Sequence, residues 1–297
     1  MWMLFALLSP AIYTLTNYVD KYLLSTRIKD YNALPIYTAS VSFIFGVIWW
    51  LCTGMPVLPM QDALIVITTG ILTIGYVVLY FKALSSQETS IVILLFQLTP
   101  IFSLLLSWII LKENISLAQT IGFAIILIAT ILLAVPKKKS VRKFPKGFWL
   151  IMFCNLIFAL TGILMKFVAS ANTFSHILSY ESFGMGIGGM LLFFFIPRIR
   201  NSFLKTRKLV IKKGLSIIVL NEILFIIAKS LGFYAFVIGP VALVSVLSNI
   251  QVFFAIVLGW ILTTVSPKIF HEDISKKGLG IKISAAILLF IGLYLLI

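Results

Sequence analysis

The sequence predicts an all-α integral membrane protein of ten transmembrane helices arranged as two inverted five-helix repeats. Three observations carry this prediction. Of 297 residues, 61% are hydrophobic and 11% charged, and mean hydropathy is +1.12, whereas about a quarter of a soluble domain is charged. Ten apolar stretches occupy nearly the whole chain, each close to the roughly 20 residues that a bilayer core of about 30 Å requires. Finally, the two halves resemble each other at a fixed offset.

The first stretch, residues 2–24, begins "MWMLFALLSP" without a basic leader and is expected to be a retained helix, not a cleaved signal. It carries Tyr13 and ends in a polar group of Asn17, Asp20 and Lys21. The second and third stretches, 32–53 and 62–83, bring Tyr76 and, at the end, Lys82; the fourth, 88–111, contains Gln97 and Pro100. Proline removes a backbone donor, so a kink is expected in the fourth helix. The fifth, 117–135, closes a first repeat of residues 1–135, and a basic linker, 136–146, leads into a second repeat, 147–297. In that repeat 147–170 holds Asn155 and Lys166, and 174–196 holds Tyr180, Glu181 and the run "GMGIGGM", whose Gly184 and Gly188 suit close helix packing. Glu222 and Lys229 follow in 214–238, Asn249 in 241–265, and 278–297 ends the chain. The basic segments between stretches, including "PRIRNSFLKTRKLVIKK" after the seventh and "SPKIFHEDISKK" after the ninth, are read as connections.

An offset of 152 aligns Ala83 with Ala235, Gln97 with Asn249, Phe102 with Phe254 and Trp108 with Trp260; "ENIS" then meets "EDIS" after a short insertion. An offset of 145 aligns "KYLLS" from Lys21 with "KFVAS" from Lys166. Five helices is an odd number, so the second repeat enters the membrane in the opposite sense. That is the inverted-repeat plan of secondary transporters, whose solute sites lie near the midplane between the halves.

Lysine and arginine set the sidedness. The connections after stretches 1, 5, 7 and 9 hold eighteen of the 24 basic residues, and the opposite face holds only Lys112. The positive-inside rule therefore puts the odd-numbered connections in the cytoplasm and both termini outside, as a multi-pass protein of the cell (inner) membrane. The formal charge of +15 is thus a topology signal that also attracts anionic lipid, and does not indicate a nucleic-acid partner.

With two five-helix repeats, fourth helices of the form "FQLTPIFSLLLSWIILKENIS" and the segment "NYVDKYLLS", the whole chain resembles the EamA-type transporters of the drug/metabolite transporter superfamily. The resemblance implies a carrier whose helices 1–4 and 6–9 line a central cavity while helices 5 and 10 brace the outside. Many relatives are thought to keep both termini in the cytoplasm; the charge distribution here gives the reverse.

The candidate site follows from polar residues in apolar surroundings, since a buried charge persists only where partners, water or ligand compensate it. Glu222 and Lys229 are seven residues apart, on nearly one helix face but about 10 Å apart along the axis, so each needs other partners. Lys166, Glu181, Asn155 and Asn249 are the candidates. Two readings stand: a static buried network that fixes packing, or a cavity lining in which lysine attracts an anionic group and a carboxylate exchanges protons. Gln97 and Asn249, amides at pseudo-symmetric positions, suit a solute of mixed polarity. Tyr13, Tyr76 and Tyr180 complete the cavity list of Asn17, Asn155, Glu181, Glu222 and Lys229. Asp20, Lys82 and Lys166 form a charge network or gate in which Asp20 meets Lys82, unless the charges of helix 1 simply reach the headgroups.

Cys52 and Cys154 lie in apolar runs, and His176 and His271 are the only histidines, so no metal, disulfide framework or cofactor is expected. An intramembrane enzyme lacks a catalytic constellation here. The expected function is secondary, proton-coupled or facilitative, export of small polar metabolites by a chain that suffices as a monomer. The alternatives are a flippase for a lipid-linked sugar or phosphate and a non-transporting scaffold or receptor.

Overall fold

In a computed structural model, residues 2–106, 108–109, 116–134, 146–169, 172–238, 244 and 247–296 are described, and every regular element among them is helical. Helix α1 (Trp2–Tyr22) runs into a π-helical turn at Leu23–Arg27. Next come α2 (Leu34–Cys52), with Pro35 in the first turn where its missing N–H costs nothing, and α3 (Met60–Leu84). Helices α4 (Thr89–Phe96), α5 (Thr99–Leu106), α6 (Leu117–Ala134), α7 (Lys146–Ala169) and α8 (Phe174–Phe195) follow. The chain ends with α9 (Pro197–Lys213), α10 (Leu215–Ile238), α11 (Gln251–Val265) and α12 (Lys276–Leu296).

Among the described residues, six segments are long and apolar enough to cross a membrane: Leu34–Cys52, Met60–Leu84, Gly147–Met165, Phe174–Phe195, Leu215–Ala235 and Lys276–Leu295. The chain is therefore a multi-pass membrane protein. Shorter apolar stretches occupy Thr89–Ser103, Leu117–Ala129 and Gln251–Val265. Helix α1 has the length, but Ser9, Thr14, Thr16 and Asn17 dilute its apolar character. The six described spans are fewer than the ten read from hydropathy: the first stretch is diluted by polar residues, and the fourth, fifth and ninth are represented among the described residues only by the shorter apolar helices.

Glycine sets the closest packing. On α8, Gly184 lies against the Ile67 backbone of α3, where a Cβ would come within 2.8 Å of the carbonyl carbon, and Gly188 lies against Ile71 and Ile74. Gly70 of α3 reciprocates against Met185 and Gly184. The other side of α8 receives α2, with Gly46 against Ser182, Gly186 against Phe43 and Gly189 against Ala39. With lipid outside, such close backbone approach supplies the dispersion contacts that hold helices together. Helices α1 and α10 pack along their length, joined by the Ser9 hydroxyl donating to the Ala228 carbonyl at 2.8 Å. Helices α6 and α12 pack on each other, and their buried residues Ile126, Ala129, Ala286 and Leu289 join the main core.

Two helix interruptions lie 152 residues apart in the chain. Between α4 and α5 the chain turns at Gln97 and Leu98, with N–H groups bonding three residues back: Gln97 to Leu94, Leu98 to Leu95 and Ile101 to Leu98. Pro100 cannot donate to the Phe96 carbonyl, which accounts for this break. The chain turns again at Asn249 and Ile250 before α11, with Ile250 bonding to Leu247 and Phe253 to Ile250, although no proline occupies that segment.

The connection expected after the seventh stretch is instead the helix α9. Ile199, Ser202 and Val210 are buried on one side, while Arg198, Lys205, Arg207, Lys208 and Lys212 face outward. The Tyr37 hydroxyl meets Thr206 Oγ1 at 3.0 Å and its ring packs on Phe203. This is the form of an interfacial amphipathic helix.

A buried ionic cluster closes one end of the bundle. Lys282 of α12 bonds Glu272 at 2.8 Å and Glu88 at 2.6 Å. Glu272 also accepts from the Ser90 N–H (3.1 Å), the Ser90 hydroxyl and the Tyr18 hydroxyl (3.3 Å). Burial opposes ionisation of Glu272, but Lys282 and the Ser90 donors outweigh it and hold the carboxyl below its ordinary value. The segment "SPKIFHEDISKK" is thus tied to α1, α4 and α12.

Candidate functional site

A cavity of about 800 Å³ lies between α1, α3, α4, α5, α10 and the start of α11, within the range of small-molecule sites. Most of its wall is apolar or aromatic, and both helix interruptions reach it: Gln97 and Thr99 from one, Asn249 and Gln251 from the other. Irregular backbone at membrane depth survives only where protein or a polar cavity satisfies it, which this placement provides.

Three charged side chains line the cavity: Asp20 of α1, and Glu222 and Lys229 of α10. Asp20 accepts from the Tyr80 hydroxyl at 2.9 Å and from Asn221 Nδ2 at 2.8 Å. Asn17 Oδ1 lies 3.4 Å from the same hydroxyl. Glu222 accepts from the hydroxyl of Ser42 on α2. Lys229 pairs with Glu181 of α8, one of its four candidate partners. Glu181 stands behind the wall, so it fixes the lysine and does not itself line the cavity. The aromatic wall is ordered by edge contacts, Tyr13 with Phe225 at a centroid distance of 5.4 Å and Tyr76 with Phe158 at 5.7 Å.

Of the expected cavity residues, Tyr13, Asn17, Tyr76, Gln97, Glu222, Lys229 and Asn249 line this space. Asn155 and Tyr180 do not. Asn155 is fully buried beside the first interruption, donating to the carbonyls of Leu95 (3.0 Å) and Ile151 (2.9 Å) and accepting from Thr99 (2.6 Å). All its hydrogen-bonding capacity toward that break is used in holding it. Tyr180 instead bonds Pro56 O (3.3 Å) and Leu58 N (3.4 Å) of the connection between α2 and α3. The expected meeting of Asp20 with Lys82 is absent: Lys82 is exposed and Asp20 is occupied by Tyr80 and Asn221. The side chain of Lys166 lies outside the described residues.

Tyr80, not among the expected cavity residues, also lines the cavity and binds Asp20. Its position four residues after Tyr76, on the same helix face, was the available signal. Ser42 and Asn221 were unassigned, and no local pattern couples Ser42 to a carboxylate 180 residues away.

Residues 1–135 match the model of the EamA-like transporter family. A solved crystal structure of a protein superposes on 96% of this chain and 93% of its own, with a TM-score of 0.53 at 13% identity, a likeness of fold alone. No curated protein matches the sequence.

Proposed function

We propose, given that residues 1–135 belong to the EamA-like transporter family of the drug/metabolite transporter superfamily, that the chain is a secondary transporter exporting small polar metabolites by alternating access. In this reading ten membrane segments form two inverted repeats, 1–135 and 147–297, joined by the basic linker 136–146. The basic connections face the cytoplasm, both termini lie outside, and the membrane is the cell's inner membrane. The observation that carries the reading is the cavity of about 800 Å³ reached by two helix interruptions 152 residues apart. Discontinuous helices at the interface of two repeats are how carriers present main-chain polarity to a solute in mid-membrane. Tyr13, Asn17, Tyr76, Gln97, Glu222, Lys229 and Asn249 are the proposed solute contacts, with Tyr80 and Asn221 added. Asp20 and Glu222 are the proposed proton acceptors if transport is driven by a pH gradient.

The test is flux. Purified protein in liposomes loaded with a bacterial small-molecule extract is followed by mass spectrometry, with and without an imposed pH gradient, beside empty liposomes. Protein-dependent loss of one compound class supports the carrier, and acceleration by the gradient supports proton coupling. Loss no greater than from empty liposomes, under every gradient, refutes carriage of water-soluble metabolites.

A further inference from the structure

Helix α9 meets α10 at an elbow that lies outside the central cavity. Seven of the seventeen residues of α9 are lysine or arginine and none is acidic. Among the described residues every salt bridge lies elsewhere. Asp30, in the connection before α2, answers the first of these charges: partial burial opposes its ionisation, but Ser202, Asn32 and Arg198 outweigh it and hold the carboxyl below its ordinary value. Further along the helix Lys205, Arg207, Lys208 and Lys212 face outward.

The chain turns at Gly214, whose N–H bonds the Val210 carbonyl at 2.8 Å and whose own carbonyl accepts from Ile217 (3.1 Å) and Ile218 (3.0 Å). One residue thus closes α9 and opens α10, and Val210 and Ile218 anchor both helices in the main core. The elbow encloses a groove of about 480 Å³, lined by Ile211 and Lys212 of α9 and by Leu215, Ser216, Val219 and Ile223 of α10. Its polar and apolar groups are sorted. Lys212 and Ser216 stand at the turn, while Val219, Leu220 and Ile223 continue along the apolar span Leu215–Ala235. From Leu215 to Ile223 the helix rises about 12 Å, a good part of one acyl chain. Ile211 and Leu220 are 66% and 57% exposed, apolar surface that an interfacial helix turns to lipid.

We propose, going beyond the carrier reading and independently of it, that this elbow is a binding site for one phospholipid of net negative charge. Its phosphate sits on Lys212 and the Ser216 hydroxyl, and an acyl chain lies along Val219, Leu220 and Ile223. The unanswered basic charge of α9 selects the anionic headgroup, because each lysine or arginine near a membrane surface adds to the attraction. The apolar groove selects a lipid over free phosphate. The chain is held behind the α10 segment whose other face carries Asn221 and Glu222 into the cavity, so the lipid braces the wall of the cavity from outside.

The test uses the purified full-length protein in detergent and three probes: dioleoylphosphatidylglycerol, dioleoylphosphatidylcholine and inorganic phosphate. A ligand that binds only the folded state raises the unfolding midpoint with concentration. The phosphatidylglycerol is expected to raise it saturably and to be retained in native mass spectrometry, and the other two to leave it unchanged at equal concentration. Lys212→Gln is expected to weaken the phosphatidylglycerol about fivefold, the scale of one lysine at an anionic surface. Arg198→Gln removes the same charge about 21 Å away along α9 and leaves the affinity unchanged. Val219→Trp fills the groove and abolishes the rise. The probe series on the unaltered protein decides the matter even if a variant fails to fold. An equal rise with phosphatidylcholine or with phosphate, or no rise with any probe, overturns the site. Equal losses from Lys212→Gln and Arg198→Gln overturn it too, in favour of diffuse attraction to the whole helix. A lipid-free dimer that Val219→Trp dissociates would give the groove to a second copy of the chain and overturn it likewise. None of these readouts involves flux, so failure here and failure of the liposome experiment are separate results.

Discussion

Replacing Lys282 by alanine tests whether the buried cluster at the end of the bundle is held by charge. Lys282 bridges two carboxylates at 2.6 and 2.8 Å, and the side chains of Lys282, Glu272 and Glu88 are 5%, 3% and 23% exposed. Removing one partner of a buried pair costs about 3–5 kcal/mol, because the other charge stays buried and uncompensated. The partly exposed Glu88 is screened by water, and the Ser90 and Tyr18 donors still serve Glu272, so the lower end, about 3 kcal/mol, is expected near neutral pH. That is roughly a hundredfold shift in the folding equilibrium, measurable by equilibrium unfolding in mixed micelles. The pH dependence has a definite sign. In the native protein the Glu272 carboxyl is held below its ordinary value of 4.5, so its contribution is present above that value and is lost as pH falls through the native one. The variant lacks that contribution at every pH, so the two proteins converge on acidification. A paired neutral substitution, Lys282→Met with Glu272→Gln, recovers most of the loss. A deficit below about 1 kcal/mol at neutral pH, or one that widens in acid, would refute the reasoning.

Gly184→Val should lower the unfolding midpoint strongly, because the added carbon meets the Ile67 main chain of α3 and not a movable side chain; overpacking of this kind costs about 1–3 kcal/mol or more, and an unchanged midpoint would contradict it. Asn155→Leu should destabilise the protein by about 1 kcal/mol, the scale of a lost buried hydrogen bond, because the Leu95 carbonyl and the Thr99 hydroxyl each lose one of two partners and keep the Leu98 N–H and the Phe96 carbonyl, while the rank order of transported solutes stays as it was. A membrane-impermeant maleimide applied to intact cells should label the exposed Cys52 and leave the buried Cys154 untouched; labelling of Cys52 only after permeabilisation would reverse the proposed sidedness.

Membrane character was legible because burial in lipid is a compositional demand, and the glycines of α8 were legible because close packing needs a missing side chain wherever it occurs. Helix α9 was missed although Ile199, Phe203, Thr206 and Val210 recur at intervals of three and four, the mark of one helix face; its abundant basic residues read instead as a topology signal. Glu222 and Lys229 announced themselves as costly groups, and the spacing correctly denied them to each other. Their partners lie on α2 and α8, and such pairings depend on how helices assemble, which no local pattern records. Asn155 and Tyr180 show the limit from the other side: a polar residue in an apolar run signals a hydrogen bond, but the sequence does not say whether the partner is a solute or the protein's own backbone.

The interruptions at Gln97–Leu98 and Asn249–Ile250 give the cavity wall two kinds of material. Side chains there are replaceable one at a time, and each replacement retunes size, charge or shape. The peptide groups of a broken helix are not replaceable, because every amino acid brings the same carbonyl. A chamber built on such breaks keeps its polarity through any substitution of its lining, so its selectivity can drift among solutes without the chamber turning hostile to all of them.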